Sequence, residues 1–229
     1  MSPTPPRYRI ARAQVPPSLQ AEVGSIPWGW ANAHVAQVTH WHAKSGAHRP
    51  TTYARALYDD AHLYLRFDVM DRYVQVRHTL PQEPVWQDSC VEFFVQPAGQ
   101  PTYFNFEINA GGNMLLYAIE NPARTKYGFA QYQKVASHWL ERVHIGHSLP
   151  KRIESTVMEP IAWSIAYRIP FALFEAYIGP FSVEEGTVWR GNLFKCGGDP
   201  AHAHWGSWAD IGAALNFHQP ERFGELVFG

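Results

Sequence analysis

The stretch VWQDSCVEFFV, residues 85–95, alternates Val91, Phe93 and Val95 with Cys90, Glu92 and Phe94. A period of two in apolar character marks a strand with one face in a core. The same alternation recurs along the chain. Residues 62–69 set Leu63, Leu65, Phe67 and Val69 against Tyr64, Arg66 and Asp68, and residues 102–110 set Phe104, Phe106 and Ile108 against Tyr103, Asn105, Glu107 and Asn109. Residues 187–196 set Trp189, Gly191 and Leu193 against Arg190, Asn192 and Phe194. Further strands are expected at 34–41, 52–58, 113–120, 139–143, 152–158, 163–169 and 223–228, with Gly, Pro, Asn and Asp turns between them. Only FALFEAYIG, 171–179, reads as a helix, preceded by Pro170 and closed by Gly179. The pattern predicts an all-β fold, a two-sheet antiparallel β-sandwich of jelly-roll type with one short helix. Its length suits one domain over residues 1–229, in which the proline-rich segment 1–20 is an extended lead-in with a short edge strand at 8–11.

Composition narrows the partners. The formal net charge is -1 and no run of Lys or Arg could neutralise a row of phosphates, so nucleic acid is not expected. No apolar run is long enough to span a bilayer, so no membrane partner is expected either. As written the chain reads as cytoplasmic, and as secreted if a native leader was trimmed. Aromatic residues reach 14%, more than a core needs, and Tyr and Trp favour places with one wet side. A recognition surface is the natural use of the excess. Cys90 and Cys196 both fall on strands and read either as free buried thiols or as a single bridge.

Trp86 lies on a loop six residues ahead of Glu92. That spacing can put a flat apolar ring beside a hydrogen-bond acceptor, which suits flat molecules with polar edges such as sugars. Trp86 reads equally as a plug over the core, and Glu92 as a solvated sheet position. The outward groups Asn105, Glu107, Asn109, Arg66, Arg190 and Asn192 form a hydrogen-bonding floor if their strands adjoin. The competing reading is structural ion pairing, for example Arg66 with Glu107. Two HxH pairs, His40 with His42 and His202 with His204, place imidazoles on one strand face, and Asp199 could join the second pair. Neither has a further ligand at fixed spacing. Glu92 and Glu107 could serve as a glycosidase pair, but no nucleophile motif, P-loop or dinucleotide fingerprint is present. A haem would need paired axial ligands, and Met70 and Met114 have no evident partner.

The segments LYDDAHLYLRFDVMD (57–71), VWQDSCVEFFV (85–95), WRGNLFKCGGD (189–199) and NFHQPERFGELVF (216–228) together resemble the family 9 carbohydrate-binding modules and their bacterial family-9-like relatives, in the DOMON-like sandwich superfamily. The resemblance runs in order over about residues 10–229. It implies a sandwich that holds a mono- or oligosaccharide without catalysis, between two aromatic rings and over polar groups of one sheet. By motif position Trp86 is one ring, Glu92 a hydroxyl acceptor, and Phe217 stands where the second clamp tryptophan falls. The family's binding arginine falls near Phe104 or Asn105, where this chain has none, so Arg66 or Arg190 is expected to substitute. No cofactor is required, but structural calcium is implied, with Asp59, Asp60 and Asp71 as candidate ligands. The alternatives are a glycoside-processing enzyme using Glu92 and Glu107, or a diverged scaffold for another ligand.

Overall fold

The computed structural model describes residues 4–229. The first half of the chain supplies β1 (Arg7–Arg12), β2 (Ala36–Gln37), β3 (His40–Trp41), β4 (Thr51–Tyr58), β5 (His62–Asp71), β6 (Val74–Val76), β7 (Cys90–Gln96) and β8 (Tyr103–Asn109). The second half supplies β9 (Met114–Thr125), β10 (Gly128–Lys134), α1 (Ser137–Leu140), β11 (His144–His147), β12 (Ile153–Val157) and β13 (Ile161–Pro170). It ends with α2 (Phe171–Ile178), β14 (Val188–Gly197), β15 (His204–Ser207) and β16 (Gly224–Phe228). No helix among the described residues is long and apolar enough to cross a membrane.

Two sheets form the sandwich. The front sheet runs β10-β9-β8-β7-β14-β16-β1, and the back sheet runs β1-β4-β5-β13-β11. Alternation decides what lies between them. Val91, Phe93, Val95, Phe104, Phe106 and Ile108 point in from the front, and meet Leu63, Leu65, Phe67, Trp163, Ile165 and Ile169 from the back in one buried cluster. Each such side chain contributes about 1.5–3 kcal/mol of burial. The helix α2 follows Pro170 and ends at Gly179, whose φ of 80° lies where glycine is favoured. Its Phe174 meets Phe104 edge-on, with centroids 4.9 Å apart.

Several expectations require correction. The N-terminal strand is not an edge: Arg7–Ile10 of β1 run parallel to β16, and Ala11 and Arg12 run parallel to β4, so β1 joins the two sheets. The other strand pairs are antiparallel. The candidate at 34–41 breaks into β2 and β3, which pair with different partners. The candidate at 139–143 is instead the turn of α1 and the residues after it, because Trp139, Leu140 and Val143 fit a helical spacing as well as an extended one.

Arg66 lies on the back sheet, fully buried. Its guanidinium donates to Asp68 Oδ1 (2.6 Å) and to the backbone oxygens of Gln20 and Glu22 (3.3 and 2.7 Å). It ties the lead-in across the outer face of that sheet. The ion pair with Glu107 therefore does not form.

At one end of the sandwich a polar network crosses the core. Asp71 accepts from His48 Nε2 (2.7 Å), Trp163 Nε1 (3.1 Å) and the Arg72 N–H (2.8 Å), and its Oδ2 lies 3.3 Å from Lys195 Nζ. Lys195 also donates to His204 Nε2 at 2.8 Å, while His204 Nδ1 donates to His202 O. Burial alone would raise the Asp71 carboxyl, but the Lys195 ammonium and then the His48 hydrogen bond outweigh it and hold it far below the usual range. Burial, then the same ammonium, push His204 down to about 3.

A pH effect follows. Unfolded His204 has a pKa of about 6.5, so between that value and about 3 the unfolded chain holds a proton that the native one lacks. Native stability is therefore lost as pH falls through this window, at up to about 1.4 kcal/mol per pH unit for this group. His204→Gln keeps an acceptor for Lys195 and removes the titration. Urea unfolding from pH 7 to pH 4 should show the stability difference between wild type and variant shrinking as the pH falls. A difference that stays constant with pH would contradict a neutral, buried His204.

Candidate functional site

The outward residues of the front sheet make the floor of a pocket of about 430 Å³, within the range of small-molecule sites. Register places them in rows. Phe194, Glu92, Glu107 and Leu115 lie side by side across β14, β7, β8 and β9. Asn192, Phe94, Asn105 and Tyr117 form the next row, and Cys196, Cys90 and Asn109 another. Glu92, Glu107, Asn105 and Cys196 face the pocket.

The walls come from loops. Trp86 stands on the turn Val85–Gln87, whose Val85 is buried while Trp86 is 48% exposed. Asp88 holds that turn: its carboxylate accepts from the Arg77 and His78 N–H groups (both 3.0 Å) and from Asn109 Nδ2 (2.8 Å). Gly198 lets the turn lie against the end of β14, since a Cβ there would sit 2.8 Å from Gln87 Cα. Trp205 of β15, Phe217 and His218 also line the pocket, as do Tyr117, Phe129, Tyr132 and Arg124 of β9 and β10. The Arg124 guanidinium lies 4.0 Å from the Phe129 ring centroid. A stacked guanidinium keeps its N–H donors at the rim of its plane, free to meet hydroxyls or carboxyls.

The two floor carboxyls share an environment that disfavours charge. Burial raises both Glu92 and Glu107 well above the usual range, and the neighbouring Cys196 and Glu92, respectively, add to it. Glu92 Oε1 lies 3.1 Å from Cys196 Sγ, and Glu107 Oε1 accepts from Asn105 Nδ2 at 2.7 Å. Glu107 Oε2 is buried with no hydrogen-bond partner among the described residues. A neutral carboxyl offers one donor and spare acceptor capacity, the same capability as a sugar hydroxyl.

The structure thus brings Trp86, Glu92, Asn105, Glu107 and Phe217 together around one pocket. Four other expected residues do not reach it. Asn109 braces the Trp86 turn from below. Asn192 accepts from the Ala209 N–H and donates to Ala209 O, pinning the segment that follows β15. Arg190 lies at the far end of β14 and donates to the Glu221 and Phe223 carbonyls. Arg66 is on the other sheet. Phe217 is partly committed elsewhere, stacked on Phe194 at 4.1 Å and 10°. Trp205, Tyr117, Tyr132 and Arg124 were not anticipated. Arg124 escaped because β9 continues to Thr125, and Trp205 because β15 lies within a segment rich in turn formers.

The metal expectations fare differently. Asp59 and Asp60 stand before β5, and Asp71 at its far end, so these three cannot share a calcium ion. Asp59 caps its own turn, Asp60 pairs with Arg12, and Asp71 is saturated by its network. Both histidine pairs fail as zinc sites. His204 Nε2 faces an ammonium, His202 stacks on Tyr73, and His42 bonds the Ala213 carbonyl and the Lys44 N–H while His40 is exposed. Cys90 and Cys196 are both free and buried.

A β-sandwich with a preformed, aromatic-walled pocket on the outer face of one sheet defines a ligand-binding module. The model of carbohydrate-binding family 9 matches residues 30–228, and the chain belongs to that family. A protein from Bacteroides uniformis ATCC 8492, provisionally described as carbohydrate-binding, shares the fold with a TM-score of 0.84 at 23% identity, over 99% of this chain and 100% of that one. A family 9 module from Caldicellulosiruptor kristjanssonii in complex with cellotriose aligns with a TM-score of 0.61 at 15% identity, over 97% of this chain and 93% of the other. The glucose complex of a family 9 module from the same organism gives 0.58 at 16%, over 96% and 95%. No curated protein matches the chain.

Proposed function

We propose that the protein binds a mono- or oligosaccharide without catalysis in the front-sheet pocket, with Trp86 as the exposed stacking ring and Trp205 and Phe217 as further aromatic walls. The observation that carries this reading is the burial of two adjacent carboxyls, one with an unpaired oxygen, at the floor of an aromatic-walled pocket. Such a floor is costly unless a ligand with many hydroxyls pairs with it. Arg124 takes the place that Arg66 or Arg190 was expected to fill. The cellotriose and glucose bound by family 9 modules of Caldicellulosiruptor kristjanssonii make gluco-configured sugars the first ligands to test.

Hydrolysis is disfavoured by the same electrostatics. Glycosidases keep one carboxyl protonated and the other ionised. Here burial pushes both in one direction, and neither is held as a nucleophile or general base.

Titration calorimetry against glucose, cellobiose and cellotriose should show saturable heat with a Kd between micromolar and millimolar, about -8 to -4 kcal/mol. Product analysis of the same samples should show no new sugar. Silence across glucans and a wider glycan panel would overturn the reading, and released reducing sugar would replace binding by turnover.

A further inference from the structure

We infer that Cys90, Cys196 and Glu92 form a binding site for a thiophilic divalent cation of the zinc class at the inner end of the pocket. One sulfur or carboxylate oxygen from each lies within 4.8 Å of the other two, and all three residues are buried. Among the described residues they are the sole such trio of His, Cys, Asp or Glu. The fold makes the cluster: Cys90 and Cys196 are direct partners across β7 and β14, and Glu92 follows Cys90 on the same face of β7.

The donor set selects the ion. Two thiolates and one carboxylate suit a borderline-soft cation without geometric preference, and do not suit calcium or magnesium, which take oxygen ligands. Three ligands leave one tetrahedral position. Glu92 and Cys196 line the pocket, so that position opens toward it. Glu107, opposite Glu92 on β8, brings an unpaired buried oxygen to the same region, which suits a hydrogen bond from a metal-bound water.

Charge also fits. Two thiolates and a carboxylate carry three negative charges, one more than the cation neutralises, and Lys195 holds an ammonium behind the strand, donating to Cys196 O at 2.8 Å. The Cys90 hydrogen bond, and then Lys195, lower the Cys196 thiol, while burial raises that of Cys90. On binding, the protons of both thiols and of the Glu92 carboxyl pass to the buffer. The site shares Glu92 with the sugar reading, but the cobalt readout needs no sugar, so failure of one is distinguishable from failure of the other.

The test uses reduced, chelator-treated full-length protein and cobalt(II) as the probe. Saturation at about one equivalent is expected, with thiolate-to-cobalt charge-transfer bands and tetrahedral ligand-field bands that zinc(II) abolishes. Cys90→Ser and Cys196→Ser should each lose the charge-transfer intensity of one sulfur, and Glu92→Gln should weaken affinity about tenfold or more. Should either serine variant fold poorly, wild type decides alone, because a mercurial thiol reagent should release the bound zinc to a chromophoric chelator. The proposal is overturned if reduced wild type shows no such bands, or if they persist unchanged in Cys196→Ser. It is also overturned if the reduced protein retains no zinc(II) after gel filtration.

Discussion

Replacing Asp71 by alanine should destabilise the protein by about 3–5 kcal/mol, the usual cost of leaving one member of a buried ion pair alone. Lys195 is wholly enclosed, with its Nζ 5.7 Å from the Trp163 ring centroid, so it cannot reach water when its counter-charge is removed. Asp71→Ala also leaves the Trp163 indole N–H and the His48 ring without their acceptor. Lys195→Met should cost a comparable amount, because the Asp71 carboxylate then stands buried without its ammonium. The double variant Asp71→Ala, Lys195→Met removes both charges and should lose far less than the sum of the singles. Urea unfolding of the four proteins gives the coupling energy directly. Additive losses would mean that Lys195 is balanced by its other contacts and that Asp71 matters only through His48 and Trp163.

That network also shows where sequence reading runs out. Lys195 falls on the core-facing side of β14 with Trp189 and Leu193, but periodicity does not say which distant residue waits there. Asp71 is 124 positions away and His48 farther still. The strands themselves were legible wherever one face is apolar and the other polar, as in β5, β7, β8 and β14. They were not where strands are short or paired on both sides by remote partners. β1 alternates Tyr8 and Ile10 inward against Arg7 and Arg9, yet nothing local reveals that it runs parallel to both neighbours and closes one sheet onto the other. β6, β10, β11 and β15 went unread because their neighbours in space supply the order that their own residues do not signal.

The candidate site divides along the same line. Glu92, Asn105 and Glu107 were placed on the outward face by period two, and β7 pairs with β8, so adjacency followed from a short hairpin. Arg66 has the same outward pattern but belongs to the other sheet, whose outer face is covered by the lead-in. Facing out is a local property, whereas facing the same pocket is a global one. Asn109 and Asn192 face the correct side but spend their amides on backbone groups, and so build the walls rather than line the cavity.

Trp86→Ala should raise the Kd for the bound sugar about tenfold to a hundredfold. The ring is half exposed and offers one face to a pyranose, so losing it removes only a part of the burial term of about 1.5–3 kcal/mol for a large side chain and of the stacking term of about 0.5–1.5 kcal/mol. From a micromolar starting affinity the weakened binding stays measurable by calorimetry, and from a millimolar one it falls below detection. Arginine variants discriminate more sharply. Arg124 lines the pocket and Arg190 bonds backbone carbonyls at the far end of β14, so Arg124→Ala should weaken binding severalfold while Arg190→Ala leaves the Kd unchanged. Both variants remove one positive charge, which cancels any general electrostatic effect. Equal losses would mean that the long-range field, not contact, attracts the ligand. Loss in Arg190→Ala alone would move the binding surface toward Pro5, Gln96 and Glu225, where Arg190 lines a second groove.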